Sequence, residues 1–224
     1  MGCEFFSQNI TTLTSLTCSN IADFKTSDMF LIAECFPLLE ELNLTYPSGC
    51  KNKNYNSCCD GVEALSLALL KLRKVDLSGF PMNDKSLFHL LNNCKLLEEV
   101  IMSTWCYQIT IAGIASAIRK RPTLKSLLFC STLFNLENTK VSVSSHFINS
   151  LVSLKGLTSL SLTCLTISDE MLYSIAREGL PLTRLVLGYC FGHSYAGIFC
   201  LLSKCRGLQY LELQHADFLT DHYV

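Results

Sequence analysis

Apolar residues recur along the chain in one figure: an apolar residue, two free positions, an apolar residue, one free position, an apolar residue. It reads Leu13-Leu16-Cys18, Leu39-Leu42-Leu44, Leu72-Val75-Leu77 and Leu97-Val100-Met102 in the first half. It continues as Leu124-Leu127-Phe129, Leu157-Leu160-Leu162, Leu182-Leu185-Leu187 and Leu208-Leu211-Leu213. The first members are 26, 33, 25, 27, 33, 25 and 26 residues apart. All these positions are apolar in a chain that is 49% apolar, an agreement that chance gives about once in ten million. The alternation between the second and third members predicts a short strand with one buried face. A helical half follows. Asn83-Asp84 precedes Leu87, Leu90 and Leu91; Ser168-Asp169 precedes Leu172, Ile175 and Ala176; Ser194 precedes Ile198, Leu201 and Leu202. These are three- and four-residue spacings behind N-cap residues. Pro37, Pro122 and Pro181 stand just before the next strand, where a helix must stop.

A unit of this length cannot bury its own leucines, and stacking such units makes one continuous core. The expected fold is an α/β leucine-rich-repeat solenoid: a curved right-handed horseshoe with a parallel β-sheet on the concave face and helices on the convex face. One domain is expected over 1–224, with about eight repeats starting near 13, 39, 72, 97, 124, 157, 182 and 208. Phe5, Phe6 and Ile10 read as the end of a preceding helix, and Thr220-Asp221 as the start of a following one, so both ends read as truncated within a repeat. The spacing series 33, 25, 27 recurs as 33, 25, 26, which predicts that a block of three repeats was duplicated. Gly61–Leu67 then matches Ser145–Leu151, and the extra residues fall in Tyr46–Asp60 and Ser131–Ser144. Both insertions are expected on one edge of the solenoid, roughly 14–15 Å apart.

A formal charge of -1 argues against a basic nucleic-acid-binding surface. No apolar run is long enough to span a bilayer. Met1-Gly2-Cys3-Glu4 carries an acid where a signal peptide needs bases, so the expected compartment is the reducing cytoplasm or nucleus. Thirteen cysteines are read in that light. Cys94 and Cys205 share a repeat position with Phe36, and Cys190 shares one with Phe80, Trp105 and Leu165, so these are small buried hydrophobes. Cys50, Cys58 and Cys59 lack the spacing and the fourth ligand of a metal site. His89, His146, His193, His215 and His222 are scattered, and no nucleophile elbow, phosphate loop, dinucleotide fingerprint or HExxH motif occurs. The expectation is a binding protein that is not an enzyme and uses no cofactor or metal. Asn9-Ile10-Thr11 and Asn43-Leu44-Thr45 match the glycosylation pattern, but Asn43 falls within a strand and no secretory signal precedes either.

Alternation also assigns the concave face. Its central residues are small and polar, its charges gather in repeats two to four, and its C-terminal end carries Arg and Tyr, the residue types that anchor interfaces. The candidate partner-binding residues are Glu41, Lys74, Asp76, Glu99, Arg184, Tyr189, Tyr210 and His215.

Several stretches resemble a known family. They are Ile32-Ala33-Glu34-Cys35-Phe36-Pro37-Leu38-Leu39-Glu40-Glu41-Leu42-Asn43-Leu44, Cys94-Lys95-Leu96-Leu97-Glu98-Glu99-Val100 and Cys205-Arg206-Gly207-Leu208-Gln209-Tyr210-Leu211, with Trp105–Thr110 and Phe218–Asp221 as strand-to-helix turns. These resemble the cysteine-containing repeats of F-box/leucine-rich-repeat proteins, especially plant ones. The resemblance implies the substrate-recognition region of a Skp–cullin–F-box (SCF) ubiquitin ligase receptor, with a protein substrate on the concave face or the insertion edge. The F-box, a helical module opening with a Leu-Pro pair, is not in this sequence, so contact with the Skp adaptor is expected only if one lies upstream in the full gene product. The alternative is the repeat region of an intracellular plant immune receptor or a repeat-only adaptor.

Overall fold

The structure, a computed structural model, describes residues 12–21, 24–45, 55–80, 82–104, 109–131 and 141–215. The terminal half-repeats at Phe5, Phe6, Ile10 and Phe218–Asp221, most of both insertions, and Trp105–Gln108 lie outside the described residues. Eight strands run β1 Ser15–Thr17, β2 Glu41–Asn43, β3 Lys74–Asp76, β4 Glu99–Thr104, β5 Ser126–Ser131, β6 Ser159–Thr163, β7 Arg184–Gly188 and β8 Tyr210–Gln214. Between them run α1 Thr26–Cys35, α2 Tyr55–Ala68, α3 Asp84–Asn93, α4 Ile111–Ile118, α5 Ser145–Val152, α6 Asp169–Glu178 and α7 Tyr195–Lys204. The strands form one sheet in chain order, every pair parallel. The chain is a leucine-rich-repeat solenoid, with the sheet on its concave face and the helices on its convex face.

The register follows the leucine figure. Leu16, Leu42, Val75, Val100, Leu127, Leu160, Leu185 and Leu211 stand side by side across the sheet. From the repeat of β2 to the repeat of β7, every residue of the apolar figure is at most 2% exposed. The outermost repeats differ. Leu13, Leu16, Cys18, Leu208 and Leu213 are partly buried, and Leu211 is 37% exposed. Among the described residues β1 and β8 each have a neighbour on one side only, and a solenoid buries a repeat from both sides.

Strand exits share a backbone device. Asn20, Gly79, Cys164, Tyr189 and His215 each have positive φ, between 52° and 82°, and each is the second residue past the last member of the apolar figure. At the matching positions, Thr104 and Ser131, the chain continues as strand, which makes β4 and β5 the longest at 6 residues. The pairing of Gly61–Leu67 with Ser145–Leu151 is off by one residue. It sets exposed Leu67 against buried Leu151, whereas burial matches Val62 to Phe147, Ser66 to Leu151 and Leu69 to Leu154. Helix α2 also has 14 residues against 8 for α5. The last part of the first insertion, 55–60, is therefore helix and not loop.

Capping departs from the sequence expectation in an informative way. Asn83 caps α3 as expected, its side chain accepting from Ser86 N–H at 2.9 Å. Ser168 and Ser194 begin α6 and α7 but make no side-chain cap bond. Instead, Ser194 donates its N–H and hydroxyl to the Asp169 carboxylate of the preceding repeat, both at 2.7 Å. The same clamp joins Thr110 to Asp84, again with two bonds of 2.7 Å. The two clamps lie 84–85 residues apart in sequence, the length of the inferred duplicated block. A carboxylate in the first turn of one helix thus fastens the start of the next, where helix-end N–H groups favour negative charge. Gly113 and Gly197 follow the clamped residues by three, and a Cβ on either one meets the Asp84 or Asp169 carboxylate. Glycine lets the clamp close.

Arg121, in the position that Cys94 and Cys205 occupy elsewhere, is only 4% exposed. Its guanidinium donates to the carbonyls of Leu91 and Asn92, in the last turn of α3 where a helix leaves carbonyls without partners, and to that of Lys95 just beyond.

Two predictions follow from the packing. Leu160→Ala should cost roughly 2–5 kcal/mol in urea unfolding, and Ser161→Ala on the same strand about 0.5 kcal/mol or less; equal losses contradict the register. Asp84→Ala and Gly113→Ala should each destabilise by about 1 kcal/mol or more. Their double mutant should lose less than the sum, because without the carboxylate the added methyl has nothing to strike; strict additivity contradicts the clamp.

Candidate partner-binding surface

The sheet register brings the sequence-derived candidates into two groups. In the first, Glu41, Lys74 and Glu99 sit directly across from one another on β2, β3 and β4. Lys74 Nζ lies 3.0 Å from Glu99 Oε1, and Ser15 donates its hydroxyl to Glu41 at 3.1 Å. Asp76 is engaged locally, accepting from Ser78 N–H at 2.9 Å. Asn43 does the same one strand earlier, accepting from the N–H and hydroxyl of Thr45 at 2.9 and 2.8 Å. Its Asn-x-Thr pattern is therefore the signature of a strand-exit turn. A further row just before the strands links Glu40, Arg73, Glu98 and Lys125 at 3.6, 3.3 and 3.0 Å. These pairs are exposed and each adds at most about 1 kcal/mol.

The second group lies on β7 and β8. The Arg184 guanidinium stacks 3.8 Å from the centre of the Tyr210 ring, a cation–π contact. The Tyr210 hydroxyl donates to Glu212 at 2.7 Å. That bond, a second from Gln214 and the charge of Arg184 hold the Glu212 carboxyl below its usual range. Tyr189 and His215 pack ring to ring at 4.4 Å, both placed by the positive φ of the strand exit. Tyr189 and Tyr210 remain 44% and 42% exposed beside these ring contacts.

Alternation alone did not single out what lies between the groups. Glu99, Ile101, Ser126, Leu128, Ser159, Ser161 and Arg184 line one depression of about 380 Å³. Its floor is a row of serines beside Ile101 and Leu128, and Ser161 separates these from Val186 on β7. Glu99 and Arg184 close its two ends, three strands or roughly 14 Å apart. Apolar residues at concave positions, where polar ones are the rule, were the available signal.

The cysteines read as core residues sit as expected. Cys35 is buried, and Cys94, Cys190 and Cys205 are buried free thiols. Cys94 donates to the Ser66 carbonyl at 3.8 Å and Cys190 to that of Leu162 at 3.4 Å. Burial pushes the Cys94 thiol up to about 12 and Cys190 to about 11. Cys50 lies outside the described residues. Among the described residues no group of three His, Cys, Asp or Glu is placed to hold a metal ion, and no helix is long and apolar enough to cross a membrane.

A continuous parallel sheet, with polar and aromatic side chains displayed on one face and apolar ones locked behind it, defines a leucine-rich-repeat scaffold. Among curated proteins the chain is similar to GRR1-like protein 1 of Arabidopsis thaliana, 25% identical over 169 residues. The match covers 70% of this chain and 28% of that relative, so the chain spans little more than a quarter of the relative's length. Among solved structures it is similar to internalin C2 from Listeria monocytogenes, with a TM-score of 0.55 and 19% identity over 93% of this chain and 74% of that one. It is also similar to a chain of the yeast Rad7–Elc1 complex, with a TM-score of 0.49 and 18% identity over 99% of this chain and 71% of that one. The internalin match shows a shared fold. The chain matches no protein-family model.

The buried thiols carry a prediction. In native protein at pH 8, Cys94 and Cys190 should resist alkylation by iodoacetamide, and in urea they should react at ordinary thiol rates. Native labelling of Cys94 as fast as in urea contradicts its burial.

Proposed function

We propose that this chain, 1–224 taken as one domain, is the substrate-recognition repeat region of an SCF ubiquitin ligase receptor, acting in ubiquitin-dependent protein degradation. The observation that carries the reading is the concave depression. It joins the Glu99 end to the Arg184–Tyr210 end over a floor of small and apolar side chains. A protein segment suited to this floor carries an acidic group toward Arg184, apolar side chains over Ile101 and Leu128, and a basic group toward Glu99. The similarity to GRR1-like protein 1 supports placing that segment on a protein destined for ubiquitination.

Within this reading, Arg184, Tyr189, Tyr210 and His215 are the anchors, and Glu41, Lys74, Asp76 and Glu99 set association rate and salt dependence. The edge carrying the two insertions completes the surface. Contact with the Skp adaptor requires an F-box upstream in the full gene product.

The test expresses the chain alone and within its full gene product. The chain alone should bind a partner, slow that partner's ubiquitin-dependent turnover, and recover no Skp adaptor; the full product should recover both. Arg184→Ala/Tyr210→Ala should weaken partner binding at least tenfold, the scale of a lost interface anchor. Unchanged binding by the double mutant removes this surface. A full gene product that neither encodes an F-box nor recovers the adaptor removes the ligase reading and leaves the repeat-only adaptor.

A further inference from the structure

Thiols meet where β5 and β6 leave the sheet. Cys130 faces the concave side of β5, and its register partners are Ser103 on β4 and Thr163 on β6. Cys164 follows Thr163 directly. A continuing strand turns that residue toward the core, as it does Leu160 and Leu162. Instead, Cys164 has a φ of 62°, and its N–H is held by the Gly188 carbonyl at 2.8 Å. The left-handed bend leaves its thiol beside that of Cys130, close enough for each to shift the other's ionisation, and Ser103 flanks Cys130 on the other side. Neighbouring strands and one residue of rise put the two Cα atoms roughly 6 Å apart, within the range that a disulfide spans. Both residues are partly exposed, whereas Cys190 nearby is buried.

We propose that Cys130 and Cys164 are a redox pair that closes to a reversible disulfide between β5 and β6 when the protein meets a hydroperoxide. The Cys130 thiolate attacks the peroxide O–O bond and becomes a sulfenic acid, and the expelled hydroxide takes up the proton the thiol released, leaving as the first water. The Cys164 thiolate then attacks that sulfur and expels hydroxide, which takes up a proton as the second water. Two thiols and one hydrogen peroxide thus give one disulfide and two waters, and a dithiol reductant reverses the change. The closed pair ties the fifth repeat to the sixth on the partner-facing side of the sheet.

The chemistry carries its own signature. Burial raises both thiols, Cys164 to about 11, with the neighbouring Cys130 and Cys190 adding to the rise. Little thiolate exists at neutral pH, so closure is slow there and accelerates by close to tenfold per pH unit in the range below the thiol pKa.

The test treats the native chain with hydrogen peroxide between pH 7 and 9, blocks remaining thiols, and maps linked peptides by mass spectrometry. The expected product is a Cys130–Cys164 link that dithiothreitol removes and whose rate climbs steadily across that range. Cys164→Ser should leave Cys130 as a sulfenic acid that dimedone traps, and Cys130→Ser should give no link. Circular dichroism of both variants checks that they fold. The proposal is overturned if native protein gives no such link while unfolded protein does, if Cys164 joins Cys190 instead, or if Cys164→Ser leaves no trappable Cys130.

Discussion

No repeat in this chain is able to bury its own leucines, and every other feature answers to that constraint. Each strand contributes one to three inward residues, too few for a core. Stacked in register, they make one continuous core from Phe24 to Cys205. Apolar burial at about 25 cal/mol per Å² is gained only between neighbours, so the forces that matter most run along the stack. The partly exposed Leu16 and Leu211 at the two outer strands display the same rule from its open side.

Polar groups along the stack serve the same end. Asp84 and Asp169 do not stabilise only their own helices; each reaches into the next repeat and fixes where its helix begins. Arg121 closes the carbonyl end of a helix in the repeat before it. Both devices satisfy backbone or hydroxyl groups that repeat stacking otherwise leaves without partners. With the core and the joints accounted for, the outward residues of the strands are free to vary. That freedom lets Glu99, Arg184 and Tyr210 occupy equivalent positions on one face.

The leucine figure made the fold legible, because a period-2 pattern repeated at near-constant spacing has one economical solution. The recurring spacing of about 85 residues was legible too, and the two Asp clamps lie that far apart. The clamps themselves were not. Ser168 and Ser194 have the right residue type for ordinary caps, and nothing local shows that an aspartate some 25 residues earlier takes the hydroxyl of Ser194. Arg121 was hidden for the same reason, since its acceptors lie about 26–30 residues away. Of the candidate site, the charged and aromatic ends were readable from alternation. The join between them was not, because Ile101 and Leu128 matter only once the register sets them beside Ser126 and Ser159. The proximity of Cys130 and Cys164 depends on one left-handed residue, which sequence does not announce at a cysteine.

The central claim is an open stack in which each repeat adds one strand in register. Spin labels at Glu41 and Tyr210, on β2 and β8, test it with a single distance measured by pulsed electron resonance. Six strand intervals predict a separation of roughly 25–30 Å. A distance below about 15 Å, as in a sheet closed on itself, would contradict the account.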